Sequence, residues 1–228
     1  RSADFSRRVD VKRVEGWFGA TSAQCGQSVA LHLIGASKDI ETTISIYRMG
    51  YYDGIGARRF ASLSARDGWN FVASEKYLPG QYLFKLQAPN HAATFIPLVI
   101  TNPEIESDLT FISSVITWQT YNQWGGYSLY KGADGKRETR ASEVSFARPY
   151  DGDGSGQFRY MEYPVIKAAE KLGLSINYAT DFDLDRNPEL TSKTKALVFG
   201  GHSEYWTTQM RDSVEAAVVR GVNLIVLG

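Results

Sequence analysis

The spacing of apolar residues changes at Asn102-Pro103, and this constrains the fold more than any other feature of the 228 residues. Before it, apolar residues alternate with polar ones at the period of a half-buried strand: Val29, Leu31, Leu33; Ile44, Ile46; Tyr82, Phe84, Leu86; and Phe95 to Ile100. The intervening segments carry turn signals, Gly50, Gly54 and Gly56 in one and Pro79-Gly80 in another, with no helical pattern. Short alternating strands joined by turns predict an immunoglobulin-like β-sandwich over residues 1–102. Beyond the boundary, apolar runs at Leu109–Thr117, Ser175–Ala179, Ala196–Phe199 and Val222–Leu227 are separated by helical patterns. Met161, Val165, Ala169 and Leu172 form one predicted face, ended by Gly173. Met210, Val214, Ala217 and Val218 form another, entered near Thr207 and ended by Gly221. Strand alternating with helix predicts an open parallel α/β sheet over residues 103–228. The charges agree with two units: 12 basic against 8 acidic residues through Asn102, and 13 against 17 after it.

The zero net charge leaves no basic field for nucleic acid, and the long charge-free run Leu109–Tyr130 contains Gln119, Asn122 and Gln123, which are costly in hydrocarbon. A lone cysteine, Cys25, rules out an internal disulfide or a cysteine zinc site. The charged start at Arg1 has no apolar leader pattern, so a soluble, cytoplasmic protein is expected. The last run stops at Gly228, where a doubly wound sheet normally continues, so a longer parent chain is expected.

Open parallel sheets bind ligands at the carboxyl ends of their strands, which directs attention to Trp118–Asn122, Thr180–Asp185 and Gly200–Trp206. The connection from Gln119 to Arg159 is long enough to be functional, and its aromatic content opposes disorder. In Gly200-Gly201-His202-Ser203-Glu204-Tyr205-Trp206, paired glycines allow a sharp strand-to-helix turn that lifts the next side chains over the crevice. Ser203 as a hydrolase nucleophile fails because Tyr205 replaces the second elbow glycine, while His32 and His91 lie in the β module. A metal site of hard oxygen ligands is the second reading, with Glu204 joined by tyrosines from neighbouring loops; phenolate ligation suits a strong Lewis acid such as ferric iron. A third candidate is a calcium loop built from Asp151, Asp153, Ser155 and Glu162, although Pro149 disfavours the entering helix of an EF-hand. Asp181, Asp183 and Asp185 alternate after the second strand, and Asp181 is assigned a supporting role.

An ordered set of motifs then carries a resemblance. It comprises Ile46-Tyr-Arg-Met-Gly50-Tyr-Tyr-Asp-Gly54-Ile-Gly56-Ala-Arg58, Thr117-Trp-Gln-Thr-Tyr121-Asn122-Gln-Trp124-Gly-Gly126-Tyr-Ser-Leu-Tyr130, Val144-Ser-Phe-Ala-Arg148-Pro149-Tyr150, Thr180-Asp-Phe-Asp183-Leu and Gly201-His-Ser-Glu204-Tyr-Trp206. From about Val14 onward the chain resembles the N,N-dimethylformamidase large (beta) subunit-like family. The resemblance implies a β module followed by a flavodoxin-like domain related to class I glutamine amidotransferases. It also implies a mononuclear iron (Fe3+) held by two tyrosines and a glutamate. Glu204 matches the glutamate ligand, Tyr121 the first tyrosine and Tyr150 the second, with Tyr130 in reserve. His202 matches a catalytic histidine, although the family's His-Pro-Glu is His202-Ser203-Glu204 here. The expected function is iron-dependent hydrolysis of the C–N bond of a small amide, with Asn122 orienting the substrate. A homo-oligomer or a small partner subunit is expected, and neither nucleic acid nor membrane. The alternative is a non-enzymatic two-domain binding protein, recognising carbohydrate through Trp118, Trp124 and Trp206, or calcium.

Overall fold

The computed structural model describes residues 12–228; the charged start at Arg1 lies outside them. Among the described residues eight strands come first: β1 (Gly16–Phe18), β2 (Ser22–Ala23), β3 (Ser28–Leu33), β4 (Thr42–Met49), β5 (Ala57–Ala65), β6 (Asn70–Val72), β7 (Gly80–Gln87) and β8 (Thr94–Ile100). They form sheets of order β1-β3-β6 and β2-β8-β7-β4-β5, antiparallel except where β2 pairs parallel with β8. The sheets enclose one core. Phe18, Val29, Leu31, Leu33 and Phe71 from the smaller sheet meet Ile44, Ile46, Tyr82, Phe84, Leu86, Ile96 and Leu98 from the larger. The alternation read from sequence is therefore the pleat of strands with one face turned inward.

The opposite pleat of the larger sheet is also covered. Leu83 and Val99, with half-buried Met49 and Phe95, pack on Leu109, Phe111, Ile166 and Val198 of the second half. This second contact explains why β8 is buried on nearly every residue instead of alternating.

The second half contains β9 (Leu109–Ser113), α1 (Val115–Tyr121), α2 (Tyr163–Lys171), β10 (Ile176–Thr180), α3 (Asp181–Arg186), β11 (Ala196–Gly200), α4 (Thr208–Val219) and β12 (Asn223–Leu227). The four strands form a parallel sheet in the order β10-β9-β11-β12. One face packs on α2 and the β module, and the other on α3 and α4 through Leu184, Met210, Val214 and Ala217. Overall the chain is mixed α/β, with antiparallel sheets followed by a parallel four-stranded sheet with helices.

Two local expectations are corrected. The apolar run Leu109–Thr117 is not one strand: it pairs only to Ser113, and the chain then turns into α1. Buried carboxylates from distant elements drive the change, Glu162 Oε1 accepting the Ser114 N–H and Asp181 Oδ2 the Ile116 N–H, both at 2.9 Å. These are N–H groups that a helix start leaves without partners. The face expected of Met161, Val165, Ala169 and Leu172 is also rotated. A π-helical turn over Phe158–Glu162 precedes α2, so Phe158, Glu162, Ile166 and Ala169 point inward while Met161 and Leu172 are exposed. By contrast, α4 is capped by Thr207, whose Oγ1 accepts the Met210 N–H at 3.1 Å, and it buries the expected Met210, Val214 and Ala217, although Val218 is exposed.

Candidate metal centre

The strand order reverses between β9 and β11, the place where an open parallel sheet opens a crevice at its carboxyl edge. α1 leaves β9 on one side of this point, and the segment Gly201–Thr207 leaves β11 on the other. Gly201 makes the second exit possible: its φ is 92°, and a Cβ there would lie 2.7 Å from the Met161 carbonyl oxygen. The following residues are fixed from below by Thr117 on α1, whose Oγ1 accepts the N–H groups of Glu204 (3.0 Å) and Tyr205 (3.2 Å).

Tyr121 ends α1, and the chain then reverses through Trp124–Gly126, where Gly125 and Gly126 have φ of 76° and 87°. Such left-handed backbone favours glycine. The reversal lets the Leu129 N–H reach the Thr120 carbonyl at 3.0 Å, and Tyr130 stacks on Tyr121 with ring centroids 4.1 Å apart. Both hydroxyls meet Glu204, Tyr121 donating to Oε2 and Tyr130 to Oε1, each at 2.7 Å. His202 Nε2 lies 3.3 Å from Oε2, and its ring is 5.1 Å from that of Tyr121. Since Tyr130 spends its only proton on the carboxylate, Tyr205 is the donor in the 2.8 Å contact between their hydroxyls.

The electrostatics follow from this geometry. The phenol hydrogen bonds, from Tyr121 first and then Tyr130, hold the Glu204 carboxyl below its ordinary range; burial opposes them and His202 assists. Both phenols are shifted upward, principally by burial and further by the bond to the Glu204 carboxylate. Each tyrosine is thus neutral unless a cation compensates its deprotonation. Two phenols and a carboxylate meeting at one point are a hard-oxygen donor set, and they fit a strongly Lewis-acidic ion that stabilises phenolate. The cluster remains accessible, with the His202 and Glu204 side chains 47% and 40% exposed.

The long connection is organised by Arg148, which is fully buried. Its guanidinium donates to the carbonyls of Gln119 (2.7 Å), Asn122 (3.1 Å), Trp124 (3.3 Å) and Tyr127 (3.1 Å), and to Gln119 Oε1 (3.1 Å). A cation on the last carbonyls of α1 suits the negative end of the helix dipole. Burial lowers its pKa to about 10, opposed by Asp151 and Tyr150, so it is charged at neutral pH.

Of the expected site residues, Tyr121, Glu204 and His202 are brought together, and Tyr130, the reserve, joins them. Tyr150 is not: it packs edge-on against Trp118 at 6.1 Å, with its hydroxyl at the Gln119 side chain. Asn122 is buried, and its amide is fully engaged, donating to Gln119 Oε1 (2.9 Å) and the Pro149 carbonyl (2.8 Å) and accepting from the N–H groups of Trp124 (3.0 Å) and Asp151 (2.9 Å). It fixes the loop and has no capacity left for a substrate.

The calcium loop does not form. Asp151 accepts the Gln123 N–H, Asp153 binds Ser155, and Glu162 is turned inward by the π-helical turn to cap α1. Among the described residues no cluster of three histidine, cysteine or acidic side chains is arranged to hold a metal. The carbohydrate face is lost as well, because Trp118 and Trp124 are buried and Trp206 packs on Phe199 at 4.7 Å. Asp181 does have a supporting part, as the fully buried cap of α1; Asp183 caps α3 through Thr180, and Asp185 bonds the Thr207 hydroxyl.

Sequence reasoning did not single out Thr117 or Tyr205. Tyr205 adjoins Glu204, but nothing in its spacing reveals the contact with Tyr130. For Tyr130 a signal was present in Gly125-Gly126, which permits the tight return of the chain.

Residues 43–228, more than half of the chain, match the family described as N,N-dimethylformamidase beta subunit-like, C-terminal. The chain belongs to that family. The match starts within β4 of the antiparallel module and runs through β12 of the parallel sheet. No curated protein matches the chain. A crystal structure of an uncharacterized protein from Bacillus anthracis str. Ames is similar at 13% identity, with a TM-score of 0.31 over 37% of this chain and 80% of that one. A likeness that low carries no argument. No helix among the described residues is long and apolar enough to cross a membrane.

Proposed function

We propose that the chain is a metal-dependent hydrolase of the C–N bond of a small amide, with iron held by Tyr121, Tyr130 and Glu204. The observation that carries this reading is the meeting of two phenol oxygens on the two oxygens of one carboxylate, each at 2.7 Å, at the switch point of the sheet. A ferric ion bound there supplies Lewis acidity toward an amide carbonyl and a water molecule. Glu204 and the two phenols provide its anionic shell, and Tyr205 steadies the Tyr130 oxygen from the second side. His202 Nε2, exposed beside Glu204, takes the proton from the attacking water and delivers it to the departing nitrogen.

The order β10-β9-β11-β12 corresponds to strands 2-1-3-4 of the unit, as at the start of a flavodoxin-like sheet, and supports a flavodoxin-like, class I glutamine amidotransferase-like domain. Two facing sheets around one core support an immunoglobulin-like module before it. The family's description as beta subunit-like supports a partner subunit in the working enzyme.

The test is elemental analysis and visible absorption after expression in iron-replete medium, together with dimethylamine release from N,N-dimethylformamide. The wild type should carry iron and show a phenolate-to-iron charge-transfer band. Glu204→Ala and Tyr130→Phe should lose metal, whereas Tyr150→Phe should keep it. A colourless wild type without metal, or full metal content in Glu204→Ala, refutes the assignment.

A further inference from the structure

A second cleft, of about 550 Å³, lies between the β module and the carboxyl edge of the parallel sheet, lined by Trp17, Gln119, Phe146, Tyr150, Phe182 and Arg186 among others. Neither Tyr121, Tyr130 nor Glu204 lines it. Its volume falls in the usual range for small-molecule sites, roughly 300–1,000 Å³.

Its walls are aromatic and half-buried. Trp17 is backed by the His32 ring at 5.3 Å, and Phe146 meets Phe182 edge-on at 4.7 Å. Aromatic walls of this kind favour a flat ring.

Its inner end presents a hydrogen-bond donor. Gln119 Oε1 already accepts from Asn122 Nδ2 (2.9 Å) and Arg148 Nε (3.1 Å), so the amide nitrogen is the end turned to the Tyr150 hydroxyl. Among the described residues no hydrogen bond takes the Tyr150 O–H proton, which leaves it for an acceptor in the cleft. Burial raises the pKa of this phenol, so the proton is present at neutral pH.

Arg186, also on the lining, is exposed and lies over the Phe182 ring, 5.3 Å from its centroid. Arg186 has no ion pair among the described residues. The neighbouring Asp183 carboxylate is occupied by Ser22 and Thr180. A guanidinium without an ion pair, positioned over a ring, is suited to receive a carboxylate.

We propose that this cleft binds a small aromatic carboxylate bearing a second oxygen function. The ring lies against Trp17 and Phe182, the carboxylate pairs with Arg186, and the far oxygen accepts from the Tyr150 hydroxyl. The site stands independently of the iron reading, since it shares no side chain with Tyr121, Tyr130 and Glu204.

The probe is 4-hydroxybenzoate, titrated into the full chain by calorimetry with benzoate in parallel. Saturable binding is expected, weakened about tenfold or more by Arg186→Ala, where a charge-assisted pair is lost. Loss of one neutral hydrogen bond should make benzoate bind roughly fivefold more weakly than 4-hydroxybenzoate to the wild type, and the two should bind Tyr150→Phe alike. Glu204→Ala should bind as the wild type does, which separates the cleft from the metal centre. Absence of saturable binding, equal affinity in Arg186→Ala, or loss of binding in Glu204→Ala overturns the proposal.

Discussion

Replacing Arg148 with methionine tests how the long connection between α1 and α2 is held. The substitution keeps most of the aliphatic stem and removes every donor. Four main-chain carbonyls, those of Gln119, Asn122, Trp124 and Tyr127, lose the guanidinium, while Gln119 Oε1 keeps its bond from Asn122. At about 1 kcal/mol net for each lost bond, more where water cannot enter, the sum is about 4 kcal/mol. The relief of no longer burying a cation subtracts from it, and breaking a buried charged network typically costs about 3–5 kcal/mol. For a chain of this size that corresponds to a fall in Tm of roughly 10 °C. Arg148→Lys, with three donors on a compact ammonium, should recover only part of it. Urea and thermal unfolding give the magnitude, and hydrogen exchange gives the place: protection should fall first in the segment around Tyr127–Ala141, which carries Tyr130 to Glu204. A Tm within about 2 °C of wild type, or protection lost evenly over the whole chain, refutes the reasoning.

Further outcomes follow from the same contacts. Thr117→Val is nearly isosteric but strips the acceptor from two N–H groups, so a loss of about 1–2 kcal/mol is expected, with weaker iron retention because Glu204 is no longer held; unfolding and elemental analysis check both. Tyr205→Phe should leave iron bound but shift the charge-transfer band, since the donor to the Tyr130 oxygen is gone; an unchanged spectrum contradicts the contact. Glu162 and Asp181 are buried, and their pKa values are raised well above the ordinary carboxyl range, mainly by desolvation. A raised folded-state pKa means the native state holds protons the unfolded chain has released, so this contribution is complete below the ordinary carboxyl pKa and declines as pH rises toward the folded value. Glu162→Gln keeps an acceptor for the Ser114 N–H and should flatten part of that decline between pH 5 and pH 8, read from urea midpoints at each end.

Much of the fold was written in local pattern. The alternation at Val29-Leu31-Leu33 and Tyr82-Phe84-Leu86 survives as the inward pleat of β3 and β7, because side-chain direction in a strand depends only on residue parity. The helix over Thr208–Val219 was equally readable, since Thr207 caps it from three residues away. Where the partner is distant, the pattern misleads. The apolar run from Leu109 breaks at Ser114 because Glu162 and Asp181 bind its N–H groups from 48 and 65 residues away.

At the candidate centre the division is similar. Local pattern supplied the residue types and one anchor, a glycine pair that lifts His202 and Glu204 above a strand end; the start of the helix that Tyr121 closes reads as strand. Which second phenol meets Glu204 depends on long-range packing, and it is Tyr130, at 2.7 Å. Tyr130 and Tyr150 are alike in chemistry and both lie on the long connection, so composition cannot rank them. Arg148 binds the carbonyls at the end of α1 and draws the chain so that Tyr130 stacks on Tyr121, while Tyr150 is sent to the cleft behind Trp118. Convergence of side chains from separate loops depends on many weak long-range contacts, and these become definite only when the whole core has closed.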